Sequence, residues 1–272
     1  MTSRVVTWLT DQRCKDPVVA GGKGASLAAM AAAGLPVPPA FVIPAHVLED
    51  SVDAERLRAL ARARDHAEAQ KLVRQAFLPQ DEIVPAYERL GGAVAVRSSA
   101  CAEDSEAASY AGLQETYLEV EGGEEVCRRI VDCWSSFFSE RALFYRDAKG
   151  SLDDLGMAVV VQQMVNSAKS GVIFTVHPVS RRRDRMVIEA VYGLGEQVVS
   201  GEVTPDHYVV DRKGTVKLER LVLGRVLGDD ELHGLSELAC RLEEYFGAPQ
   251  DVEWAIAGDQ MYLLQSRPIT TI

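Results

Sequence analysis

Four polar residues near the carboxyl end have the types and spacing of a metal and phosphate site. They are Asp251, Glu253, Gln265 and Arg267, in the stretch DVEWAIAGDQMYLLQSRP. Carboxylate and amide oxygens are ligands that Mg²⁺ prefers, and a guanidinium binds phosphate oxygens, so this set suits magnesium bound to a nucleotide's phosphates. The alternative is that these residues form the solvated outer face of an edge hairpin.

The turn between the two strands decides which of these side chains meet, because side chains alternate between the faces of a sheet. A two-residue turn at Gly258-Asp259 pairs Glu253 with Leu264 and leaves Gln265 on the opposite face. A three-residue connection that includes Gln260 pairs Glu253 with Gln265 and gathers all four polar side chains on one face. In the second case, the residues that face the core are Trp254 and Leu264.

An arginine inside an apolar strand is a second candidate. Arg97 lies in AVAVRSS, where a guanidinium is normally excluded unless it has an anionic partner. A triphosphate is one such partner, and a buried carboxylate is the structural alternative. The next segment carries Ser109, Ala111 and Gly112 before Thr116, and small residues of this kind let backbone amides approach phosphates closely. We expect this segment to be a loop that covers phosphates and moves on binding.

Lys23, in the sequence GGKG, is the third candidate. It follows two glycines and opens a helical segment, where backbone N–H groups and an ammonium group meet anions readily. The motif is not a phosphate loop of the Walker A type, because Pro17 stands at the upstream glycine position and Gly24 follows the lysine. A surface lysine after a turn is the alternative.

The elements that must position these residues are a mixture of helices and strands, an α+β fold. We predict a glycine turn and a helix that ends at Gly34, two or three short helices over residues 51–90, and one long amphipathic helix over residues 124–148. That helix carries five aromatic residues predicted to lie in the core: Trp134, Phe137, Phe138, Phe144 and Tyr145.

The strands follow from short runs rich in β-branched residues. In the first half these are AVAVRSS and ETYLEV, and in the second half AVVVQQMV, SGVIFTVHP, DRMVIEAVYG and DHYVVDR. A helix over residues 229–246 and the two strands of the terminal hairpin complete the prediction. The character of the sequence changes near residue 157, where we place the boundary between two subdomains.

Composition disfavours several classes of function. The net charge of -11 repels the phosphate backbone of nucleic acid, so no nucleic-acid partner is expected. No apolar run reaches the roughly 18 residues that cross a bilayer, and charges interrupt the amino terminus too early for a secretory signal. We therefore expect a cytoplasmic protein without a membrane partner. The five cysteines are scattered without a C-x-x-C pair, which argues against disulfides and zinc.

Six of these stretches, in this order, resemble the amino-terminal ATP-binding domain of the pyruvate phosphate dikinase, phosphoenolpyruvate synthase and rifampin phosphotransferase family. They are GGKGASLAAM, AVRSSACAEDSEAASYAGLQETYLEV, VVVQQMV, SGVIFTVHPVS, VIEAVYGLGEQVVSGEVTPDHYVVDR and DVEWAIAGDQMYLLQSRP. The resemblance implies an ATP-grasp fold in which two subdomains, residues 1–157 and 158–272, close over the nucleotide.

The resemblance also implies roles for individual residues with ATP and Mg²⁺ as cofactors. Lys23, Arg97 and Arg267 match phosphate-binding positions and are the candidate catalytic residues. Gly112 and Thr116 match the loop over the phosphates. The remaining matches are the adenine-contacting strand at Gln162, Met164 and Val165, a nucleotide or metal contact at Glu189, and magnesium ligands at Glu253 and Gln265. Cys101 and His177 depart from the family's usual threonine and its usual Asp or Asn.

The expected activity is that of an ATP-dependent phosphotransferase, or kinase, that moves a phosphoryl group from Mg-ATP to a small-molecule acceptor. Full-length family members also carry a swivelling domain with a phosphorylated histidine, and no TxxGGxxSH-like run occurs in this sequence. The alternative is therefore a subunit of a split synthase that phosphorylates a histidine on a separate protein. Phosphorylation of His177 or His207 and a non-catalytic nucleotide-binding module are further hypotheses, both less favoured.

Overall fold

The computed structural model describes residues 4–101, 115–195 and 203–270, and it divides the chain into two compact units. The first unit comprises Met1–Ala29 and Pro39–Met164, and the second comprises Met30–Pro38 and Val165–Ile272. The boundary near residue 157 stays a prediction. Among the helices of the described ranges, none is both long enough and apolar enough to cross a bilayer.

The first unit is built on a five-stranded antiparallel sheet in the order β1-β2-β5-β3-β4. Its strands are β1 (Thr7–Trp8), β2 (Ala40–Ile43), β3 (Val94–Ala100), β4 (Thr116–Val120) and β5 (Met157–Gln163). Its helices are a short 3₁₀ helix (Gln12–Lys15), α1 (Pro17–Ala32), α2 (His46–Ser51), α3 (Ala54–Ala63), α4 (His66–Val73), α5 (Gln80–Leu90), α6 (Gly123–Ser136) and α7 (Glu140–Ala148).

The two faces of this sheet differ in what covers them. Residues of one face, such as Phe41, Val96 and Val159, pack into one apolar cluster with buried residues of α2 to α7. The opposite face contacts α1, where a side chain on Gly24 would touch Val42 and Val160. Strand alternation places Arg97 and Gln162 on this second face.

The second unit is built on a six-stranded antiparallel sheet in the order β11-β10-β6-β7-β8-β9. Its strands are β6 (Lys169–Phe174), β7 (Arg185–Tyr192), β8 (Asp206–Asp211), β9 (Val216–Arg220), β10 (Gln250–Ala257) and β11 (Gln260–Pro268). Between β9 and β10 runs α8 (Asp229–Phe246), whose buried stripe includes Leu232, Leu235, Ala239 and Leu242. This spacing of three to four residues is that of an amphipathic helix.

The structure confirms the mixed α+β class, the helix over residues 229–246 and all the strands predicted from the sequence. Residues 51–90 contribute to four helices, α2 to α5, and β9 was not predicted. The helix that ends before Gly34 begins earlier than the glycine turn, at Pro17, and contains a kink at Gly21.

The prediction of one long helix over residues 124–148 is wrong. The structure has α6 and α7 separated at Phe137 to Ser139, because the Ser139 side chain accepts a hydrogen bond from the Ala142 amide at 3.3 Å and starts a new helix. The aromatic prediction fails at Phe144, which is 68% exposed. Trp134, Phe137 and Phe138 are buried as predicted.

Candidate functional site

Arg97 lies on β3 with only 8% of its surface exposed, as expected for a guanidinium in an apolar strand. Its Nη1 donates a hydrogen bond to Oε1 of Gln162 on β5 at 3.2 Å. The register places Gln162 opposite Ala95 and Val160 opposite Arg97, so the two polar side chains are diagonal neighbours on one face. The structure thus brings together two predicted site residues 65 positions apart.

Gln162 is almost fully buried, at 3% exposure. Its Oε1 accepts from Arg97, whereas its Nε2 has no hydrogen-bond partner among the residues that the structure describes. A buried amide nitrogen without a partner costs free energy, so such a group in a native fold calls for an explanation. A ligand acceptor atom on this face would supply one.

The glycine turn before Lys23 is fixed against the same face by Ser99. Gly21 has φ of 68°, and a Cβ there would lie 2.0 Å from the Ser99 carbonyl oxygen, so only glycine fits. The Ser99 hydroxyl donates to the Ala20 carbonyl at 2.8 Å and accepts from the Gly24 amide at 3.1 Å. These bonds hold the residues on both sides of Lys23 against the strand that carries Arg97.

Lys23 is half-buried in this position. Burial raises the pKa of the Cys133 thiol on α6, and the Lys23 ammonium lies close enough to oppose that rise. Cys133 in turn lies within 3.9 Å of the carbonyl oxygen of Val96, the neighbour of Arg97. The two cations therefore belong to the same region of the first unit.

Thr116 is exposed and lies directly opposite Arg97 in the β3–β4 pair. Opposite residues of an antiparallel pair project from the same face, so Thr116 joins Arg97 and Gln162 there. Gly112, with Ser109 and Ala111, lies outside the described residues, and its predicted place in a phosphate-covering loop stays a prediction.

The segment predicted to contact adenine runs from the last residues of β5 into the chain that follows this strand. After Gln163, the Met164 amide donates to the Ala93 carbonyl at 3.0 Å, and the Val165 carbonyl accepts from Ser167 at 2.8 Å. Within the described ranges, no hydrogen bond is formed by the Met164 carbonyl or the Val165 amide. One acceptor and one donor are thus available on successive residues.

The terminal hairpin combines features of both predicted turns. Ala257 pairs with Gln260 across a two-residue turn, in which Gly258 has φ of 58°. Glu253 nevertheless pairs with Gln265, because the register shifts by one residue between Trp254 and Glu253. The three-residue connection is therefore wrong. The pairing of Glu253 with Gln265 that it was used to predict is confirmed, and a β-bulge at Leu264 produces it.

The bulge also changes which leucine enters the core. Trp254 is fully buried, as predicted, but Leu263 is the residue paired with it and is 1% exposed. Leu264, predicted to face the core, is only partly buried. The extra residue of the bulge shifts the alternation of faces by one position, which explains this correction.

The polar pair of the hairpin belongs to a row that crosses five strands of the second sheet. Gln265 pairs with Glu253, Glu253 with Val172, Val172 with Glu189, and Glu189 with His207. Directly paired residues share a face, so these side chains project from the same side of the sheet. We call this set the carboxylate row. Glu253 and Glu189 are two strands apart, about 10 Å at the usual strand spacing.

His207 ends the carboxylate row and contacts Glu189, with 3.4 Å between its Nδ1 and Oε1 of the glutamate. Both side chains are about one-third exposed. The sequence alone did not assign this contact, because the order of β6, β7 and β8 in the sheet is needed to see it. A histidine opposite a glutamate in a strand pair is the only signal that would have indicated it.

Two residues along β10 from Glu253, Asp251 pairs with Arg267 as predicted, and the Arg267 Nε donates to the Asp251 carboxylate at 2.8 Å. Burial raises the pKa of Asp251, Arg267 lowers it, and the negative charges of Glu253 and Glu189 raise it again. The charges of the two glutamates thus act on Asp251, and a divalent cation near this carboxylate would offset them.

Within residues 4–101, 115–195 and 203–270, no group of three or more His, Cys, Asp or Glu side chains is close enough to form a protein-only metal site. Mg²⁺ in phosphate-binding sites commonly uses one or two carboxylates, with waters and phosphate oxygens as its other ligands. Glu253 and Gln265 fit that smaller set.

The family described as "Pyruvate phosphate dikinase, AMP/ATP-binding domain" matches residues 18–225 and 215–272, nearly the whole chain. The chain belongs to this family. The resemblance stated from the six sequence stretches is confirmed.

Two curated relatives of this pyruvate phosphate dikinase family illustrate the match. A probable phosphoenolpyruvate synthase of Methanocaldococcus jannaschii is 39% identical over 99% of this chain, and one of Archaeoglobus fulgidus is 42% identical over 98% of it. The chain covers only 27% and 42% of these relatives, so it spans less than half of their length.

Among solved structures, D-alanyl-alanine synthetase A of Vibrio cholerae aligns with 92% of this chain and 55% of its own, at 11% identity and a TM-score of 0.43. This similarity is too weak to support a conclusion about the fold or the function of the chain.

Two positions at which this member of the dikinase family departs from the usual residue have structural roles. The Nδ1 of His177 accepts from the amides of Val179 and Ser180 at 3.3 Å each, a turn-capping contact that an Asp or Asn oxygen also makes. The Cys101 thiol donates to the Val18 carbonyl, and burial raises its pKa to about 12. The thiol therefore stays protonated at neutral pH.

Proposed function

We propose that the chain binds Mg-ATP and acts as the ATP-binding part of an ATP-dependent phosphotransferase. The observation that carries this proposal is the buried Arg97 on a face shared with Gln162 and Thr116, together with family membership. A guanidinium held in an apolar strand is costly unless it serves a ligand or a structural partner. Here the hydrogen bond to Gln162 holds the guanidinium on the sheet face.

Phosphate oxygens are bound by cations and small backbone groups of the first unit in this proposal. Arg97 supplies a rigid fork of donors and Lys23 a mobile ammonium, next to the Thr116 hydroxyl. The resemblance to the family implies two further phosphate contacts, at Gly112 and at Arg267. Positioning and charge neutralisation of this kind are what a loose phosphoryl transition state requires.

The base of the nucleotide is recognised at the end of β5. The Met164 carbonyl and the Val165 amide offer one acceptor and one donor, the pattern that an adenine edge requires. Gln162 connects this strand to the phosphate-binding Arg97 through its side chain. Glu189, held by His207, is a further nucleotide contact. An ATP-grasp-like organisation of the two subdomains belongs to this proposal.

Magnesium would be held by Glu253 and Gln265, which pair directly on β10 and β11. When bound, the ion neutralises phosphate charge and orients the phosphate oxygens. The protein groups keep the ligand oxygens on one face, since the bulge at Leu264 sets the register that brings Gln265 beside Glu253. The negative charges of Glu189 and Glu253, which raise the pKa of Asp251, support a cation at this face.

The acceptor of the phosphoryl group is a small molecule in the first form of the proposal. A second form, in which a histidine on a separate protein or domain accepts it, is favoured by the greater length of relatives described as phosphoenolpyruvate synthases. Both forms use the same Mg-ATP site, and they differ in whether a histidine-bearing partner is needed for turnover.

The test is phosphorus NMR of the products formed from Mg-ATP with candidate acceptors, with and without a histidine-bearing partner protein. Formation of ADP or of AMP, dependent on acceptor or partner, is expected. Glu253→Ala should lower product formation about 100-fold by weakening magnesium binding, whereas Glu237→Ala, on an exposed surface of α8, should not. Nucleotide binding without any product under every condition would indicate a non-catalytic binding module instead.

A further inference from the structure

A cavity of about 330 Å³ lies in the first unit, away from the Arg97 face. Every side chain that lines it is polar or carries a polar group. The lining residues are Gln70, Arg74, Glu115, Tyr117, Asp132, Ser135, Ser136, Ser139 and Arg141. We call this the serine-arginine cavity. An all-polar lining of this size suits a small hydrophilic molecule and not an adenine ring, which needs apolar walls.

The charges of the cavity are balanced but not mutually neutralised. Neither Arg74 nor Arg141 forms an ion pair with any residue that the structure describes, and the same holds for Glu115. Asp132 is the exception, because its carboxylate accepts from Arg129 Nη1 at 3.0 Å. Two guanidinium groups are therefore available to an anion at one cavity, with a carboxylate nearby to accept hydrogen bonds.

Two hydroxyl groups of the cavity, those of Ser136 and Ser139, are held by the main chain. Ser136 Oγ donates to the Cys133 carbonyl at 2.7 Å, which leaves its oxygen able to accept, and Ser139 Oγ accepts from Ala142, which leaves its proton to donate. Gln70 Nε2 donates to the Ser135 carbonyl at 3.1 Å and joins α4 to the end of α6. The walls are therefore preorganised.

Tyr117 separates the cavity from the Arg97 face. Thr116 lies opposite Arg97, and side chains alternate along β4, so Tyr117 points to the other side of the sheet, where it packs against the apolar cluster. Burial raises its pKa to about 12, and its hydroxyl therefore remains a hydrogen-bond donor at neutral pH. The cavity and the phosphate-binding residues lie on opposite faces of the same edge strand.

We propose that the serine-arginine cavity binds a small hydroxylated anion, such as a short-chain polyol phosphate, independently of Mg-ATP. Arg74 and Arg141 bind the anionic group. The serine hydroxyls and Glu115 bind the hydroxyl groups of the same molecule. The volume, near the lower end of the range of small-molecule sites, limits the ligand to a few carbon atoms.

The experiment is saturation-transfer NMR and calorimetry with glycerol 3-phosphate as the probe and glycerol as its neutral analogue. We expect saturable binding of the phosphate and much weaker binding of glycerol. The double variant Arg74→Gln/Arg141→Gln should weaken binding at least about tenfold, which corresponds to about 1.4 kcal/mol. Arg56→Gln, which removes an exposed arginine of α3 outside the cavity, should bind as the wild type does.

Two further measurements separate this site from the nucleotide site. Saturating Mg-ATP should not displace the probe, and Arg97→Met should retain probe binding, so failure of the proposed phosphotransferase function would leave this result untouched. Displacement by Mg-ATP, equal binding of glycerol, unchanged affinity of the double variant, or absence of saturable binding would each overturn the proposal. Thermal unfolding of the double variant, with its exposed substitutions, provides the check that it is folded.

Discussion

The two sheets differ in the charge that they present on their polar faces. The face of the first sheet carries Arg97, hydrogen-bonded to Gln162, and Ser99 holds the residues on both sides of Lys23 against its strand. The face of the second sheet carries the carboxylate row, with Asp251 beside it. One face is complementary to phosphate and the other to a cation. Under the proposed function, the first face contacts phosphate, and the second face supplies the magnesium ligands together with Arg267.

The largest effect is expected from removing the guanidinium of the first face. Arg97→Met keeps the apolar stem and should reduce phosphoryl transfer about 1,000-fold, the scale seen for transition-state arginines. The free energy of unfolding should also fall, by about 1–3 kcal/mol, because the substitution leaves the buried Gln162 Oε1 without its donor. Rapid-quench kinetics and thermal unfolding measure the two quantities. Unchanged transfer would remove Arg97 from the site.

A somewhat smaller effect is expected from the second face. Glu253→Ala should lower turnover about 100-fold by weakening magnesium binding. High Mg²⁺ concentrations should restore part of the loss, which distinguishes a metal ligand from a phosphate ligand. Turnover as a function of Mg²⁺ concentration is the measurement, with Glu237→Ala as the control. A loss that no Mg²⁺ concentration relieves would assign Glu253 another role.

The third prediction concerns the fold of the second unit rather than its polar face. Asp206 on β8 is fully buried and accepts from the amides of Val222, Leu223 and Val226 and from the Tyr208 hydroxyl. Asp206→Asn replaces one acceptor oxygen with a donor and should destabilise the protein by about 2 kcal/mol. Urea unfolding at neutral pH measures this, with the exposed Asp230→Asn as control.

Asp206 also makes the stability depend on pH. Burial opposes ionisation, but the three backbone amides and Tyr208 outweigh it and hold the pKa of Asp206 below its ordinary value of 3.8. The stabilisation is therefore fully present above pH 3.8 and is lost as the pH falls towards the lower folded-state pKa. The difference between wild type and Asp206→Asn should shrink in that range. A constant difference would contradict this account.

The smallest effect is expected at the end of the carboxylate row. His207→Phe removes the hydrogen bond that holds Glu189 and should raise the KM for ATP by a few-fold, roughly 1 kcal/mol, with little change in kcat. His207→Gln, which keeps a donor, should recover part of the loss. Steady-state kinetics provide both constants. Loss of all activity would instead support the hypothesis that His207 itself carries the phosphoryl group.

The sequence was sufficient for most of the strands and for one kind of site residue, a charged side chain inside an apolar strand. Arg97 was found because a charged side chain interrupts an apolar strand. Arg146 is also buried, but the sequence does not indicate it, because it lies in a polar stretch of α7. Its guanidinium meets most of its hydrogen-bond acceptors only where the chain folds back after that helix. Its guanidinium packs on the ring of Phe137, with 3.8 Å between its Cζ and the ring centroid. It also donates hydrogen bonds to the carbonyl oxygens of four residues: Phe137, Ser151, Leu152 and Asp154.

What the sequence could not provide is information that depends on strand order and on packing. The pairing of Glu253 with Gln265 was predicted for the wrong reason, because the bulge at Leu264 depends on Leu263 filling the place beside Trp254. The carboxylate row can be recognised only when the strand order is known, because β10 lies beside β6 in the sheet but far from it in the chain. The break between α6 and α7 is different, because it depends on a local signal, the Ser139 hydroxyl that caps α7.

Calorimetric titration of the folded wild-type chain with Mg-ATP tests the central claim most directly. The account predicts saturable association with one nucleotide, weakened when Mg²⁺ is withheld, and weakened separately by Arg97→Met and Glu253→Ala. No heat of association at any temperature, with the protein shown to be folded by circular dichroism, would contradict it.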